Sequence, residues 1–165
     1  NVNNFELSKS FNRVLKKNYQ VKSNISDNKA NEKYFNLFKQ YQQKRHLGGS
    51  MSEMNFEDFK SMIEVSPINT KLIEFKDKNN LLIGIMLFDK QKDGLSAVYS
   101  FYNQTYIKQG LGNFMILRLI ELAREMKLKH VYLGYYIKNV DGMNYKSRFY
   151  PAEIFQDGKW IKFQN

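Results

Sequence analysis

The chain has 165 residues, of which 42% are hydrophobic and 15% aromatic, so it can form one globular domain with a sizeable core and is too apolar for an intrinsically disordered protein. It carries 26 Lys and Arg against 16 Asp and Glu, and the net charge of +10 favours an acidic partner, nucleic acid before anionic membrane. The absence of cysteine excludes disulfides, a thiolate nucleophile and thiolate-bound metal from these residues.

Most of the excess positive charge lies in the first third of the chain. Residues 1–50 contain 10 basic and 3 acidic side chains, so this part is the expected polyanion-binding face. No stretch approaches the ~20 apolar residues that span a bilayer, and no leader of charged, apolar and small residues is recognisable. We therefore expect a cytoplasmic protein that does not bind membranes.

Three helices are predicted in the N-terminal part of the chain. Ser8 is a suitable N-cap and precedes a short basic segment with apolar residues on one face. A second segment carries aromatic residues at helical spacing and stops at two glycines. Asn55 and Asp58 have the spacing of a capping box. The predicted helices are residues 8–18, 28–46 and 56–64.

A meander of strands follows these helices. Turn-forming sequences at 78–80 and 92–94 separate three apolar runs, which predicts antiparallel pairing. Gly110 and Gly112 then open a helix that is apolar around most of its circumference and should lie against the sheet. The turn Asp157-Gly158 separates two short final strands. The predicted strands are Lys71–Lys76, Leu82–Asp89, Leu95–Tyr102, Val131–Ile137, Ala152–Gln156 and Trp160–Phe163.

The glycine turn is the first candidate binding site. Because glycine has no Cβ, the unpaired amides of Gly110, Leu111, Gly112 and Asn113 at a helix N-terminus can receive a phosphate. The same spacing also occurs in turns that are only tight connections. The order of meander, glycine turn, helix and strand is that of acyltransferases of the GNAT type, and this context favours the binding interpretation.

Tyrosines and cations are concentrated around the predicted strand at 131–137. Alternation along a strand places Tyr132 and Tyr136 on one face and Tyr135 on the other, either as packing residues or as hydroxyl donors. Lys146 and Arg148 follow this strand, where they either bind a carboxylate or phosphate or remain ordinary solvated charges.

Two further candidates end the second predicted helix. His46 could accept a proton near neutral pH, and Arg45 beside it could bind an anion, although a helix C-terminus also favours cations for stability alone. His130 is expected to be a packing or surface residue. Paired carboxylates, a Ser-His-Asp arrangement and a phosphate-binding loop of the Walker type are not recognisable.

Five segments closely resemble the C-terminal domain of aminoacyl-tRNA-protein transferases, the arginyltransferase family with its bacterial branch of aspartate/glutamate leucyltransferases. The resemblance covers nearly the whole chain and is most specific in YLGYYIK and MNYKSRFYP. It implies an α/β (α+β) fold of the GNAT-like acyltransferase type, with a central, mostly antiparallel mixed sheet flanked by helices. The segments are SKSFNRVLKKN (8–18), YQQKRHLGGSM (41–51), SAVYSFYN (96–103), LGNFMILRLIELARE (111–125) and YLGYYIKNVDGMNYKSRFYPAE (132–153).

The resemblance also implies an organisation and a reaction. We expect residues 1–165 to form a single transferase domain, without the cysteine-bearing N-terminal domain of the family. The implied reaction moves an aminoacyl group, leucine favoured, from aminoacyl-tRNA to the α-amine of proteins that begin with Asp or Glu, which feeds the N-degron degradation pathway. Aminoacyl-tRNA is then a co-substrate, and no resident cofactor or metal is expected. The oligomeric state and the activity of this domain alone stay open.

This reaction assigns roles to the candidate residues. Its main task is to orient two substrates, since an α-amine with a pKa of about 7.7 to 8.0 needs only mild help to lose its proton. The expected roles are proton transfer by Tyr135, Tyr136 or His46, donor binding by Gly110, Leu111, Gly112 and Asn113, binding of the acceptor's carboxylate by Lys146, Arg148 and Arg45, and binding of tRNA phosphates by Lys9, Arg13, Lys16 and Lys17.

Three alternative functions stay open. The first is an arginyl-tRNA-protein transferase. The second is a CoA-dependent GNAT N-acetyltransferase, which is opposed by Ile107 at a position where a standard acetyl-CoA site carries Arg or Gln. The third is a non-catalytic RNA-binding module, although the sequence lacks the aromatic-basic strand signature of an RRM and the GXXG loop of a KH domain.

Overall fold

A computed structural model describes residues 1–45, 48–140 and 142–163 of the chain. In these residues four α-helices and seven β-strands are joined by short 3₁₀ helices at Ser50–Glu53, Gln104–Gln109 and Asn144–Arg148. The α-helices are α1 (Lys9–Lys17), α2 (Glu32–Arg45), α3 (Phe56–Glu64) and α4 (Leu111–Glu125). The strands are β1 (Lys22–Asp27), β2 (Asn69–Lys76), β3 (Leu82–Lys90), β4 (Gly94–Tyr102), β5 (His130–Tyr132), β6 (Glu153–Gln156) and β7 (Lys159–Lys162).

Local capping signals place the N-terminal helices close to their predicted positions. Ser8 caps α1 by accepting a hydrogen bond from the amide of Phe11, as the sequence predicts. Asn55 and Asp58 form the complete capping box of α3, since each side chain accepts from the other residue's amide. The second helix begins later than predicted, at Glu32, because a strand and a turn precede it.

Five strands form one sheet in the order β1-β2-β3-β4-β5, in which β5 is parallel to β4 and all other neighbours are antiparallel. This confirms the expected mixed, mostly antiparallel sheet. β4 and β5 pair only between Gly94–Ser96 and His130–Tyr132, so the rest of β4 is not paired with the chain after β5. We call the space between Val98–Tyr102 and residues 133–136 the β4–β5 opening. β6 and β7 form a separate hairpin.

Two expectations about strands need correction. β1 is absent from the prediction because its sequence, KSNISD, offers a single large apolar residue, yet it pairs along its whole length with β2. The predicted strand Val131–Ile137 ends at Tyr132, because Gly134 turns the chain with a φ of +73°. The predicted alternation of Tyr132, Tyr135 and Tyr136 along one strand is therefore wrong.

Aromatic side chains fix helices to both faces of the sheet. The register places Phe75 of β2 and Phe101 of β4 on opposite faces. Phe38 of α2 packs with its ring centroid 5.6 Å from that of Phe101, and Phe114 of α4 packs 6.1 Å from Phe75. The core therefore lies in two layers, one on each side of the sheet. Among the residues described, none of the helices combines the length and the apolar character needed to cross a bilayer.

The α1 helix connects the start of α4 with the C-terminal part of the chain. Phe11 stacks on Phe149 with ring centroids 4.6 Å apart. Asn18, which is 1% exposed, donates through Nδ2 to the carbonyl oxygens of Val14 at 2.8 Å and Gln109 at 2.9 Å. Because Gln109 directly precedes the glycine turn, Asn18 fixes the loop that positions the N-terminus of α4.

Replacing Asn18 by Ala should lower the free energy of unfolding by about 1–3 kcal/mol, since the part-buried carbonyl of Gln109 and the carbonyl of Val14 then lose a donor. Asn12→Ala is the matched control on the same helix, because the Asn12 amide bonds the carbonyl of Ser8 in an exposed position. Urea unfolding of both variants measures the difference. Equal losses in the two variants would show that Asn18 does not fix the loop.

Candidate functional site

The N-terminus of α4 has no side-chain cap. Gly110, the N-cap, has a left-handed backbone with φ 73° and ψ 34°, and no side chain caps this helix, in contrast to α1 and α3. The first hydrogen bond within the helix runs from Phe114 N to Gly110 O, so the preceding amides of Leu111, Gly112 and Asn113 have no acceptor one turn earlier. These amides and the positive end of the helix dipole suit a phosphate or a polarised carbonyl oxygen.

Both glycines also allow close packing around this helix turn. A Cβ atom at Gly110 would lie 3.0 Å from Cγ2 of Val14, and one at Gly112 would lie 3.2 Å from the hydroxyl oxygen of Tyr102. The two glycines therefore do serve as a tight connection. This role does not exclude the binding interpretation, because the close approach places the Tyr102 hydroxyl beside the first turn of α4.

Tyr102 belongs to a group of four tyrosines at the β4–β5 opening, which we call the tyrosine cluster. Tyr41 of α2 packs with its ring centroid 5.4 Å from that of Tyr102. The hydroxyl of Tyr99 accepts a hydrogen bond from Nε2 of the buried Gln42 at 2.7 Å. Tyr145 of the 3₁₀ helix Asn144–Arg148 completes the cluster, which therefore consists of Tyr41, Tyr99, Tyr102 and Tyr145.

Three hydroxyls of the tyrosine cluster, those of Tyr41, Tyr99 and Tyr145, remain protonated at neutral pH. Burial raises the pKa of Tyr41 to about 12, and the neighbouring tyrosines add to this effect while Arg45 opposes it. Burial also raises the pKa of Tyr99 and of Tyr145. These groups can therefore donate hydrogen bonds to a developing negative charge, whereas none of the three is a base at neutral pH.

Arg45 is the predicted cation that lies at this cluster. Its positive charge acts to lower the pKa of the Tyr41 and Tyr145 hydroxyls and so partly offsets the rise that burial causes. Tyr41 and Arg45 are four residues apart on α2, so they project from the same side of the helix. Sequence analysis names Arg45 but misses Tyr41, although this spacing is the one signal that could connect them.

The other two predicted cations lie elsewhere. Lys146 donates through Nζ to the carbonyl oxygen of Tyr135 at 2.5 Å, and burial lowers its pKa. Arg148 lies over the ring of Phe11 at 5.6 Å and donates to Oγ of Ser10 at 3.1 Å. The contacts of Lys146, Arg148 and Arg45 thus lead to three different places, and the structure does not unite them in one carboxylate site.

The residues predicted to transfer a proton are not assembled by the described structure. Tyr135 is 90% exposed, and Tyr136 packs edge-on against Phe163 with centroids 5.0 Å apart. His46 lies outside the described residues. The hydroxyl beside the α4 N-terminus belongs instead to Tyr102, a residue whose convergence with Gly112 depends on the fold and is invisible in the sequence.

The predicted phosphate-binding residues form an exposed basic surface on α1. Lys9, Arg13 and Lys16 are exposed, and Lys17 donates to the carbonyl oxygen of Lys108 at 3.2 Å. Within the part of the chain that the structure describes, no acidic side chain forms an ion pair with these four residues. Their charges are therefore available to an external anion.

A second polar group joins the β3–β4 turn to β5 and was not predicted. Asp93 accepts hydrogen bonds at Oδ2 from the Tyr132 hydroxyl, 2.9 Å away, and lies 3.1 Å from Nδ1 of His130. Burial raises the pKa of Tyr132 to about 12, and the hydrogen bond to Asp93 adds to this rise. The same hydrogen bond lowers the pKa of Asp93. His130 is thus held by a specific partner, which sequence analysis does not foresee.

Comparison with known families identifies what the chain is similar to. Residues 33–156 match the family described as arginine-tRNA-protein transferase, C terminus. A relative from Rhodospirillum rubrum named aspartate/glutamate leucyltransferase is 43% identical over 160 residues, which cover 96% of this chain and 65% of the relative. A relative of the same name from Paramagnetospirillum magneticum is 40% identical over 98% of this chain and 66% of its own length. The chain therefore spans slightly less than two thirds of these relatives.

Solved structures confirm the predicted GNAT fold. A ribosomal-protein-alanine N-acetyltransferase from Brucella melitensis biovar Abortus superposes with a TM-score of 0.61 and 14% identity, over 88% of this chain and 99% of that protein. A GNAT family acetyltransferase from Elizabethkingia anophelis, solved with acetyl-CoA, gives a TM-score of 0.52 and 13% identity, over 87% and 93%. Identities this low support the fold alone.

The raised pKa of Tyr41 predicts a loss of stability at alkaline pH. The unfolded chain ionises this tyrosine near pH 10.0 and the folded chain near pH 12, so stability falls as the pH rises through this window and is unaffected below it. Tyr41→Phe should remove roughly 2 kcal/mol of this fall. Urea unfolding at pH 8, 10 and 11.5 measures it.

Tyr135→Phe is the control, because Tyr135 is 90% exposed and should leave the pH dependence unchanged. If wild type and Tyr41→Phe lose stability in parallel between pH 10 and 11.5, the phenol of Tyr41 is not held neutral by the fold.

Proposed function

Because the chain belongs to the family of arginine-tRNA-protein transferase C-terminal domains, we propose that it transfers an aminoacyl group, leucine in preference, from aminoacyl-tRNA to the α-amine of proteins that begin with Asp or Glu. Leucine is favoured by the name of the relatives, aspartate/glutamate leucyltransferase. The structural observation that supports the proposal most directly is the uncapped N-terminus of α4 beside the tyrosine cluster. The products would enter N-degron degradation, and the cytoplasm would be the site of the reaction.

The donor would bind at the start of α4. The amides of Leu111, Gly112 and Asn113 would receive an oxygen of the tRNA acceptor end, and the adjoining β4–β5 opening would hold the ester carbonyl. The basic surface of α1 lies beside this turn, since Val14 touches Gly110. Its four cations would bind phosphates of the same tRNA, which is a longer-range, salt-dependent attraction.

The reaction itself needs little acid or base strength. The α-amine nitrogen attacks the ester carbonyl carbon, the C–N bond forms, the C–O bond to the ribose breaks, and the proton of the amine ends on the ribose oxygen. Because a useful fraction of α-amines is already neutral at pH 7 to 8, orientation supplies most of the acceleration. The Tyr102 hydroxyl, beside Gly112, would donate a hydrogen bond to the carbonyl or leaving oxygen as negative charge develops.

The acceptor's acidic side chain would meet Arg45. This guanidinium lies at the tyrosine cluster, whereas Lys146 and Arg148 are engaged with Tyr135 and α1. A carboxylate that leaves water needs a charge-assisted hydrogen bond. Arg45 can donate this bond at the tyrosine cluster itself. Of the three cations named from the sequence, we therefore assign the acceptor's carboxylate to Arg45.

The proposal predicts which donor and which acceptor react. Labelled Leu-tRNA should transfer its amino acid to peptides that begin with Asp or Glu and not to an otherwise identical peptide that begins with Ala. The assay offers Leu-tRNA, Arg-tRNA and acetyl-CoA in parallel, with the chain described here and with a longer form that includes the remaining third of a relative's length. Labelled peptide measured by mass spectrometry identifies the product.

Transfer from Arg-tRNA alone would make the chain an arginyltransferase, and transfer from acetyl-CoA alone would overturn the proposal. RNA binding without any product in both forms would identify a non-catalytic binding module. Activity of the longer form only would assign the missing contribution to the additional residues and leave the assignment of the chemistry intact.

Tyr102→Phe should lower kcat at least about 10-fold with a smaller change in KM, because the variant keeps the ring contacts with Tyr41 and Gly112 and loses only the hydroxyl. Tyr34→Phe is the matched control, since it removes a hydroxyl that donates to Glu74 on β2. Equal kcat values for Tyr102→Phe and wild type would exclude the hydroxyl from the reaction.

A further inference from the structure

Basic charge is concentrated in the two ends of the chain. Residues 1–50 hold 10 basic and 3 acidic side chains and residues 124–165 hold 8 and 4, whereas residues 51–123 hold 8 and 9. The two basic ends meet in the fold, because Phe11 stacks on Phe149 and Arg148 bonds Ser10. The positive surface of α1 is therefore continuous with the C-terminal segment, and the meander carries almost no net charge.

A cavity of about 990 Å³ opens in this C-terminal segment, between β5, the β6–β7 hairpin and the N-terminal residues. Aromatic rings form its walls: Trp160 lies 5.2 Å from Phe155 and 6.1 Å from Tyr132, measured between ring centroids. Phe155 is 62% exposed and Trp160 55% exposed, so each offers an open ring face. We call this space, with Tyr132, Phe155 and Trp160, the stacking cavity.

The rings of the stacking cavity are held in place. Phe155 and Trp160 are directly opposite each other in the hairpin register and therefore lie on the same face of it. The Tyr132 ring is fixed by the hydrogen bond from its hydroxyl to Asp93. Open aromatic faces that do not have to be ordered first are the elements that proteins use to bind unpaired bases, since every base has a flat π face.

We propose that the stacking cavity binds unpaired bases at the single-stranded end of an RNA. This inference rests on the proposed function, because it names where the bases of the donor tRNA next to the reacting end would lie. The cavity is lined by Leu133 and Gly134, which also border the β4–β5 opening, so stacked bases would lie next to the opening that would hold the ester carbonyl.

Exposed rings next to positive charge favour RNA over an acidic peptide as the occupant. Lys162 lies on the same face of the hairpin as Trp160, where it can meet a phosphate backbone. Of the two carboxylates in the wall, Asp93 is already bound to Tyr132 and His130, and Glu153 lies opposite Lys162 in the hairpin register. An acidic peptide would gain the same positive charge but would not use the two exposed rings of Phe155 and Trp160.

Trp160 is the single tryptophan of the chain, so its fluorescence reports on the stacking cavity alone. Titration of the chain with an unstructured single-stranded RNA of ten nucleotides should quench this fluorescence, because a stacked base contacts the indole. A blunt-ended RNA duplex, added at equal phosphate concentration, has no unpaired bases and should bind α1 without comparable quenching. A peptide beginning with Asp serves as the third ligand.

Two variants test the rings independently of the fluorescence signal. Phe155→Ala and Trp160→Ala should each weaken binding of a labelled single-stranded RNA on the order of 10-fold, while Trp160→Phe should retain most of it. Leu81→Ala is the matched control, since Leu81 is an exposed apolar residue, 61% accessible, at the far β2–β3 turn. Circular dichroism and thermal unfolding verify that each variant is folded.

Quenching by the peptide or equally by the blunt-ended duplex would overturn the inference, as would unchanged RNA affinity in both alanine variants. Failure here and failure of the proposed function are distinguishable. Aminoacyl transfer without quenching by single-stranded RNA would reject the stacking cavity and retain the transferase, whereas quenching without any transfer would reject the transferase and retain an RNA site.

Discussion

The arrangement of the site depends on one close contact, the approach of the Tyr102 side chain to Gly112 in the first turn of α4. With any Cβ at this position the ring would have to move, since the space of 3.2 Å to its hydroxyl oxygen is tighter than ordinary packing. Gly110 likewise leaves room for the side chain of Val14 of α1, and it adopts a left-handed backbone that most residues avoid. Two glycines thus bring a basic helix and a hydroxyl to a helix end that no side chain caps.

The polar groups around this contact are of two kinds, hydroxyls that donate hydrogen bonds and a charged guanidinium. Burial keeps the hydroxyls of Tyr41, Tyr99 and Tyr145 protonated, so the cluster supplies hydrogen-bond donors. Arg45 adds a permanent charge at the same place. Such a site stabilises negative charge and orients partners, and the residues described at it include no strong base, which suits aminolysis of an activated ester better than a reaction that must ionise a weak acid.

Sequence analysis predicts those features that short-range chemistry determines. The Ser8 cap, the capping box at Asn55 and the glycine start of α4 are confirmed, because each depends on a few neighbouring residues. β1 is missed because its stability comes from pairing with β2 and hardly from its own side chains. Val131–Ile137 is predicted too long because an apolar run does not reveal that Gly134 turns the chain. The tyrosine cluster is not predictable, since Tyr41 and Tyr102 meet only after α2 has packed on the sheet.

The fold also explains why charge separated in sequence acts as one surface. Residues 51–123 contain α3, the meander and most of α4 and supply most of the sheet and much of the core, where charge would be costly, and they carry 8 basic and 9 acidic residues. The two ends wrap onto the same side through the stack of Phe5, Phe11 and Phe149. Because apolar contacts between the ends hold the cations together against their mutual repulsion, the positive surface is built by the same three rings that position α1 beside the α4 N-terminus.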